Sequence, residues 1–341
     1  MLIHDHRPAS AAQDSAAVRR VLLVKTSSMG DVVHMLSAVR EAQQQRPEIR
    51  FDWICEEAFI ELPGLLANVD RVIPVATRRW RKSLLAAATR RELRSFLASC
   101  RARAYDTVID AQGLLKTAWI TAAMRCPRQA RFSFDWPTSR ESLSSLAAGK
   151  GVHAPMHWHA IERLRALCGQ ALGYQPTGPI TALESHRVPG NSVMFFHGTT
   201  RQEKSWPMQE WIALGRALDQ RGLDVQLAWG TPQEQQMAET LTKAIGGRTR
   251  LLPKLSLAQL AQHLRSARAA VGVDSGLMHL AVALGTPTVA VMSASHLERF
   301  SASRFAPNWA AHARVVTRAQ GMESISAQRV LAACLDLGLT Q

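Results

Sequence analysis

Apolar runs of three to five residues recur along the chain, each followed by a polar turn and then by apolar positions spaced three and four apart. In the first half these runs stand at residues 21–24, 51–55, 72–75, 107–109 and 131–134. A short continuous apolar run fits a strand buried on both faces, as in a parallel sheet. Helical spacing fills the intervals near residues 32–45, 59–66, 83–101 and 114–124, and "HWHAIERLRALCGQALG" closes the half. Residues 174–191, "YQPTGPITALESHRVPGN", are rich in Pro and Gly without a sustained period and read as a linker.

The pattern then restarts. Strands are expected at residues 193–196, 225–228, 250–252, 270–273, 288–291 and 314–316, and helices at 207–221, 232–245, 257–266 and 277–284. Alternation on both sides of a linker predicts an α/β protein of two Rossmann-like, doubly wound parallel-sheet domains facing across a cleft. Ligands of such sheets bind beyond the carboxyl ends of the strands, so the chemistry is expected between the domains. The expected division is an extension over 1–20, a first domain over 21–173, the linker over 174–191 and a second domain over 192–322. A terminal helix over 323–341 is expected to pack back on the first domain.

Composition narrows the class. The 341 residues are 47% hydrophobic, enough for two cores. No apolar run approaches the roughly 18–20 residues that span a bilayer. Residues 1–20 lack the hydrophobic centre of a secretory signal and are expected to be mobile. Five cysteines, odd in number and without C-x-x-C spacing, suit small core residues in a reducing cytoplasm better than disulfides or zinc.

Charge adds more. The formal net charge is +14, and residues 71–103 hold ten Lys/Arg against one acid, Glu92. Residues 90–103 fit a solvated helix face. "RRWRK", Arg78 to Lys82, follows a strand directly and sets a tryptophan among four cations. Such a surface attracts nucleic acid, an anionic membrane or an anionic substrate. The segment lacks any recognised RNA or DNA module, so nucleic acid is not expected as a partner.

The turns after the strands carry the candidate chemistry. "HGTTRQEKSWP" offers two hydroxyls, Thr199 and Thr200, and then Lys204. "DSGLMHLAVALG" ends a strand with Asp274 and opens a helix with Ser275 and Gly276, whose free N–H groups suit an anion; His279 follows one turn later. In "WGTPQEQQ", Glu234 offers an acceptor for ribose hydroxyls. Together these read as a nucleotide-diphosphate site, although Asp274 also fits a plain helix cap and His279 a core histidine. His153, His157 and His159 have metal-like spacing, but no Cys or carboxylate cluster joins them, and no metal is expected. The first strand's turn, "KTSSMGD", has one glycine and ends in Asp31, which would repel a phosphate.

In order, "VLLVKTSSMGDVVH", "FDWICEEAF", "VIPVATRRWRK", "YDTVIDAQGLLKTAW", "DWPTSRE", "FFHGTTRQEKSWP", "LAWGTPQEQ", "LLPKLSLAQLA" and "VGVDSGLMHLAVALGTPTVAVM" resemble glycosyltransferase family nine, the ADP-heptose:lipopolysaccharide heptosyltransferases. The resemblance runs from about Val21 to about Met292. "KTSSMGD" and "RRWRK" favour the members that add the first heptose over those that add the second. It implies the GT-B fold and an inverting, metal-independent transfer of L-glycero-D-manno-heptose from ADP-heptose to Kdo of the Kdo-lipid A acceptor, at the cytoplasmic face of the inner membrane. A different acceptor within the same family is the alternative.

Carried over by position, Asp31 matches the catalytic aspartate, which would take the proton from the attacking hydroxyl. Thr199, Thr200 and Lys204 match phosphate contacts, Ser275 and Gly276 the diphosphate-binding helix start, and Glu234 the ribose-binding glutamate. Asp274 and His279 match further donor-side residues. Ser275 stands where many members have threonine, a change that keeps the hydroxyl. The expected acceptor side comprises Arg78, Arg79, Arg81 and Lys82, with Lys25 facing an acceptor anion. Gln112 is expected either at an acceptor hydroxyl or stabilising a loop, and Arg140 with Glu141 fits a structural ion pair.

Overall fold

Hydrophobic burial sorts the apolar runs into two parallel sheets. The structure, a computed structural model, describes residues 18–183, 187–199, 201–293 and 305–339. The first sheet holds β1 (Arg19–Val24), β2 (Ile49–Glu56), β3 (Val69–Val75), β4 (Thr107–Asp110), β5 (Arg131–Phe134) and β6 (Lys150–Val152) in the order β3-β2-β1-β4-β5-β6. The second holds β7 (Ser192–Phe196), β8 (Asp224–Leu227), β9 (Arg250–Leu251), β10 (Ala269–Val273), β11 (Thr288–Ser293) and β12 (Ala313–Arg318) in the order β12-β11-β10-β7-β8-β9. Numbered within its own half, each sheet runs 3-2-1-4-5-6, and every strand pair is parallel. The order reverses beside β1 in one sheet and beside β7 in the other, so the turns after β1, β4, β7 and β10 flank the crevices where such sheets bind ligands.

Among the described residues the α-helices are α1 (Met29–Gln45), α2 (Thr77–Trp80), α3 (Ala87–Arg101), α4 (Leu115–Ala123), α5 (Ala160–Leu172), α6 (Met208–Asp219), α7 (Pro232–Ile245), α8 (Leu257–Ser266), α9 (Gly276–Ala283) and α10 (Ala327–Asp336). Several start at the side-chain caps their sequences offer: Thr231 for α7, Ser256 for α8, Ser275 for α9 and Ser326 for α10.

Four expectations change. The helix expected over 59–66 is only two short 3₁₀ turns, because Pro63 and Gly64 interrupt it. The edge strand β6, "KGV", was not legible, being three residues long with no apolar run. The first domain begins two residues earlier than expected, since the Arg20 N–H donates to Asp106 at 2.8 Å and Arg19 pairs within β1; residues 1–17 of the expected extension lie outside the described residues. The terminal helix α10 does not return to the first domain. Its Val330 and Cys334 enter the core of the second sheet against Trp211, and Glu210 of α6 accepts the Ala327 N–H at 2.6 Å. Its apolar residues pack with Val289 and Val291 of β11 and Val316 of β12.

The linker is pinned to the second half: Leu183 N–H donates to Ala283, Gly190 N–H to Ser266, and the Arg187 guanidinium to the carbonyls of Leu264, Ala267 and Gly285. One apolar cluster crosses between the halves, joining Val33, Leu36 and Val39 of α1 with Leu280, Ala283 and Leu284 around α9. All five cysteines are buried free thiols, as expected of core residues. Among the described residues no helix is long and apolar enough to cross a membrane.

Candidate active site

The turn after β1 is built around Asp31. Asp31 is the third residue of α1, and its Oδ2 accepts the Ser28 N–H at 3.0 Å and the Ser28 hydroxyl at 3.1 Å, so it closes the start of the helix. The other oxygen, Oδ1, faces two cations: Lys25 Nζ at 3.5 Å and an Arg140 Nη2 at 3.3 Å. Burial alone would push this carboxyl up, but Lys25, Arg140 and the Ser28 N–H outweigh it and hold Asp31 well below the usual carboxylate range. Asp31 opens on a small cavity lined by Lys25, Gln112, Arg140, Trp158, Arg163 and Phe305.

Neighbouring turns fix this geometry. Asp110, at the end of β4, accepts the Gln112 N–H at 2.9 Å and the Gly113 N–H at 3.3 Å. Gln112 Oε1 in turn accepts the N–H groups of Thr26 and Ser27 at 3.0 and 3.1 Å. The carbonyl oxygen of Gln112 thus stabilises the β1 turn, one of its two expected roles, while the side chain also lines the Asp31 cavity. Lys25 also turns inward beside the Asp31 cavity. Expected to face an acceptor anion, it is 4% exposed and donates to the Ala111 carbonyl at 3.0 Å while facing Asp31. Burial lowers its ammonium, with Arg140 acting in the same sense and Asp31 opposing.

Arg140 was expected to pair with Glu141; it reaches Asp31 across the crevice instead. Glu141 accepts the Leu115 N–H at 2.5 Å, at the start of α4. No local sequence signal marks Arg140, because the loop after β5 folds over the β1 turn only in three dimensions.

The second half supplies a complementary group. Lys204 Nζ lies 2.6 Å from Asp274 Oδ2, and His279 Nε2 stands 3.7 Å from Asp274 Oδ1. Burial would raise Asp274, but His279 and Lys204 together hold it well below the usual range. Ser275 caps α9, accepting the Met278 N–H at 3.4 Å. Gly276 has a tighter reason to be glycine than access for a diphosphate: a Cβ there would stand 2.7 Å from the Met29 side chain of α1.

Glu234 closes a capping box at α7, its Oε2 accepting the N–H groups of Gly230 and Thr231 at 2.7 and 3.1 Å. Its Oε1 lies over Gly198, where a Cβ would meet it at 2.4 Å, so the turn after β7 passes directly beneath the carboxylate. Thr199 is half-buried in that turn; Thr200 lies outside the described residues.

The basic segment divides. Arg79 is held by Glu57 at 3.1 Å and Glu92 at 2.7 Å, and Trp80 donates its Nε1–H to Glu92 at 2.8 Å. Arg79 thus braces α2 against α3. Arg78 and Arg81 line a cavity of about 450 Å³ with Trp80, Leu84, Lys116 and Trp119, while Lys82 is exposed nearby. Lys116 donates to Ser27 Oγ at 2.8 Å, linking this cavity to the Asp31 turn. Of the three spaced histidines, His153 pairs with Asp135 at 2.8 Å, and His159 caps α5 while its Nε2 faces the Ala306 carbonyl at 3.1 Å.

A carboxylate between cations at one crevice, facing a cation–carboxylate–imidazole group at the other, suits transfer between an acceptor and an anionic leaving group. Comparison with known proteins agrees. Residues 93–329 match the family model described as Glycosyltransferase family 9 (heptosyltransferase). The chain is 42% identical over 280 residues to lipopolysaccharide heptosyltransferase 1 of Escherichia coli (strain K12), covering 80% of this chain and 87% of that protein. Identity to the protein of the same name from Pseudomonas aeruginosa is 42% over 279 residues, covering 80% and 78%. The fold superposes on the solved structure of E. coli heptosyltransferase WaaC with ADP at a TM-score of 0.84 and 36% identity, over 93% of this chain and 99% of that one. With two sheets of one strand order, a shared crevice and this degree of likeness along the chain, the protein belongs to glycosyltransferase family 9, the heptosyltransferases.

Proposed function

We propose that this heptosyltransferase moves L-glycero-D-manno-heptose from ADP-heptose to Kdo of Kdo-lipid A, with inversion. The observation that carries the reading is Asp31 Oδ1, turned into the crevice and held ionised between Lys25 and Arg140. In the reaction the acceptor hydroxyl oxygen attacks the anomeric carbon from the face opposite ADP. The bond from that carbon to the diphosphate oxygen breaks, ADP leaves with the electron pair, and the hydroxyl proton passes to Asp31.

A carboxylate held this low is a weak base at rest. An anionic acceptor sharing Arg140 would reduce that cation's hold on Asp31 and raise its proton affinity at the moment of attack. Lys204 and the free N–H groups at the start of α9 stabilise the departing diphosphate, and Glu234 Oε1 is offered to the ribose. The solved structure of E. coli heptosyltransferase WaaC with ADP-2-deoxy-2-fluoro heptose, which superposes at a TM-score of 0.82 with 36% identity, supports this donor.

The test is purified protein with ADP-heptose and Kdo-lipid A, following ADP release and the mass of the glycosylated lipid. Since Lys204 and the α9 start can offset the diphosphate charge, turnover is expected to survive EDTA. Loss on chelation, with rescue by Mg²⁺ or Mn²⁺, would show that a metal carries that charge.

The acceptor's carboxylates and phosphates suit the cavity bounded by Arg78, Arg81 and Lys116. The exposed Leu84 and Leu85 beside it suit peripheral contact with the cytoplasmic face of the inner membrane. Replacing Arg78 and Arg81 with glutamine is expected to raise the KM for Kdo-lipid A at least tenfold at low salt and leave the donor KM within about twofold, the sites lying on different sheets. Arg79→Gln is expected instead to lower the melting temperature with little change in acceptor KM. An unchanged acceptor KM in the double variant would remove these arginines from the acceptor site.

A further inference from the structure

The turn that holds Asp31 and the donor-side group meet at two imidazoles from different halves of the chain. His34, one turn into α1, is 3% exposed, and its Nε2 lies 3.3 Å from Nδ1 of His279 in α9. The rings stand edge to face, 4.7 Å between centroids. The two helix starts interlock around this contact: a Cβ on Gly30 would come 3.2 Å from His279 Cδ2, as one on Gly276 would meet Met29.

Proton count fixes the direction. One hydrogen between two facing ring nitrogens makes a bond; two hydrogens, or none, repel. Asp274, held ionised, can only accept, so the His279 nitrogen facing it, Nε2, carries a hydrogen. The far nitrogen of His34 decides which ring donates: with its hydrogen on Nε2, His34 donates that N–H to a lone pair at His279 Nδ1. This leaves His34 Nδ1 without a hydrogen, and that atom is buried with no hydrogen-bond partner among the described residues. An orphaned lone pair is tolerated there better than an orphaned N–H. The groups facing His34 are His279 from α9, His159 at the start of α5, and Asp31 and Lys25 from the β1 turn, with Phe305 stacked at 6.4 Å. Burial first, then His279 and His159, hold its imidazole well below the usual histidine range.

We propose that His34 is a positioning residue for the donor: its Nε2–H, donated between the halves to His279 Nδ1, locks His279 in the tautomer that presents an N–H to Asp274. The Lys204–Asp274–His279 group is then complete only while α1 and α9 are in contact. Donor binding thereby becomes sensitive to the seating of the acceptor half, although His34 belongs to that half. The inference rests on the reading of this group as the ADP-heptose site.

Full-length His34→Leu removes the donor N–H, and His34→Gln restores an amide N–H near the same place. Donor and acceptor kinetics, ADP affinity by calorimetry and the pH profile of donor kcat/KM are measured for both and for wild type. His34→Leu is expected to lower donor kcat/KM and ADP affinity about tenfold, the worth of one buried hydrogen bond, with acceptor KM within about twofold. His34→Gln is expected to recover most of the loss, and its acid limb is expected to shift, because an amide does not titrate. A folded His34→Leu with wild-type donor kinetics would overturn the proposal, as would a glutamine variant impaired as deeply as leucine. Should leucine prevent folding, the glutamine variant decides: an unshifted acid limb overturns the proposal. Wild type that neither binds ADP nor transfers heptose would overturn the functional reading and this inference together, a result distinct from wild-type turnover indifferent to His34.

Discussion

Asp31→Asn is expected to lower heptose transfer by about 10²–10⁴-fold, the usual loss on removing a positioned general base, while ADP-heptose binding changes little. The amide keeps the shape and can still accept the Ser28 N–H that closes α1, so the turn is preserved. What disappears is the anionic Oδ1 between Lys25 and Arg140. Lys25, buried and already lowered by burial, then lacks its carboxylate and sheds its proton more readily. The variant is therefore expected to melt below wild type, and donor affinity by calorimetry separates lost chemistry from lost fold. Turnover within a few-fold of wild type would assign the proton to another group.

The same geometry gives a pH expectation. Asp31 is depressed in the fold, so its stabilising contribution is fully present above the unfolded carboxylate value, about 3.9. It is lost as pH falls through the lower folded value. The acid limb of acceptor kcat/KM due to Asp31 should accordingly lie below the ordinary carboxylate range.

Lys204→Met is expected to lower kcat by about 10²–10³-fold, the scale measured when one preorganised stabiliser of developing charge is removed. At rest the ammonium sits 2.6 Å from Asp274 Oδ2, so it is already placed and desolvated before ADP-heptose arrives. Its loss acts twice. The departing diphosphate loses a cation, and Asp274 is left facing that diphosphate without the ammonium that offset its charge. Adding Asp274→Asn to Lys204→Met should therefore restore part of the donor affinity, a non-additivity expected of groups in one network. A single variant with near-wild-type kcat would place the diphosphate elsewhere.

The chain announced its two sheets because each buried strand is a bare apolar run and each helix carries a cap or a period. Ser28, Thr231, Ser256 and Ser275 precede their helices in the sequence as they do in space. Asp31, Lys204, Asp274 and His279 could be singled out because each lies in the segment after a strand or in the first turns of the helix that follows, where a doubly wound sheet places its ligands.

Other roles depended on partners distant in sequence. Arg140 meets Asp31 across 109 positions, His34 meets His279 across 245, and Arg79 divides its charge between Glu57 and Glu92. Charge along the chain could not separate bracing Arg79 from Arg78 and Arg81, since all three are cations in one short run; only the acids brought alongside distinguish them. Gln112 and Lys25 look alike as polar residues just past strands, yet burial turns both inward to serve the β1 turn. Local periodicity and turn chemistry determined the strands, the helices and the rims where chemistry can occur. Which side chains meet there was decided by packing the halves together, because ion pairing, desolvation and tautomer depend on distance in space.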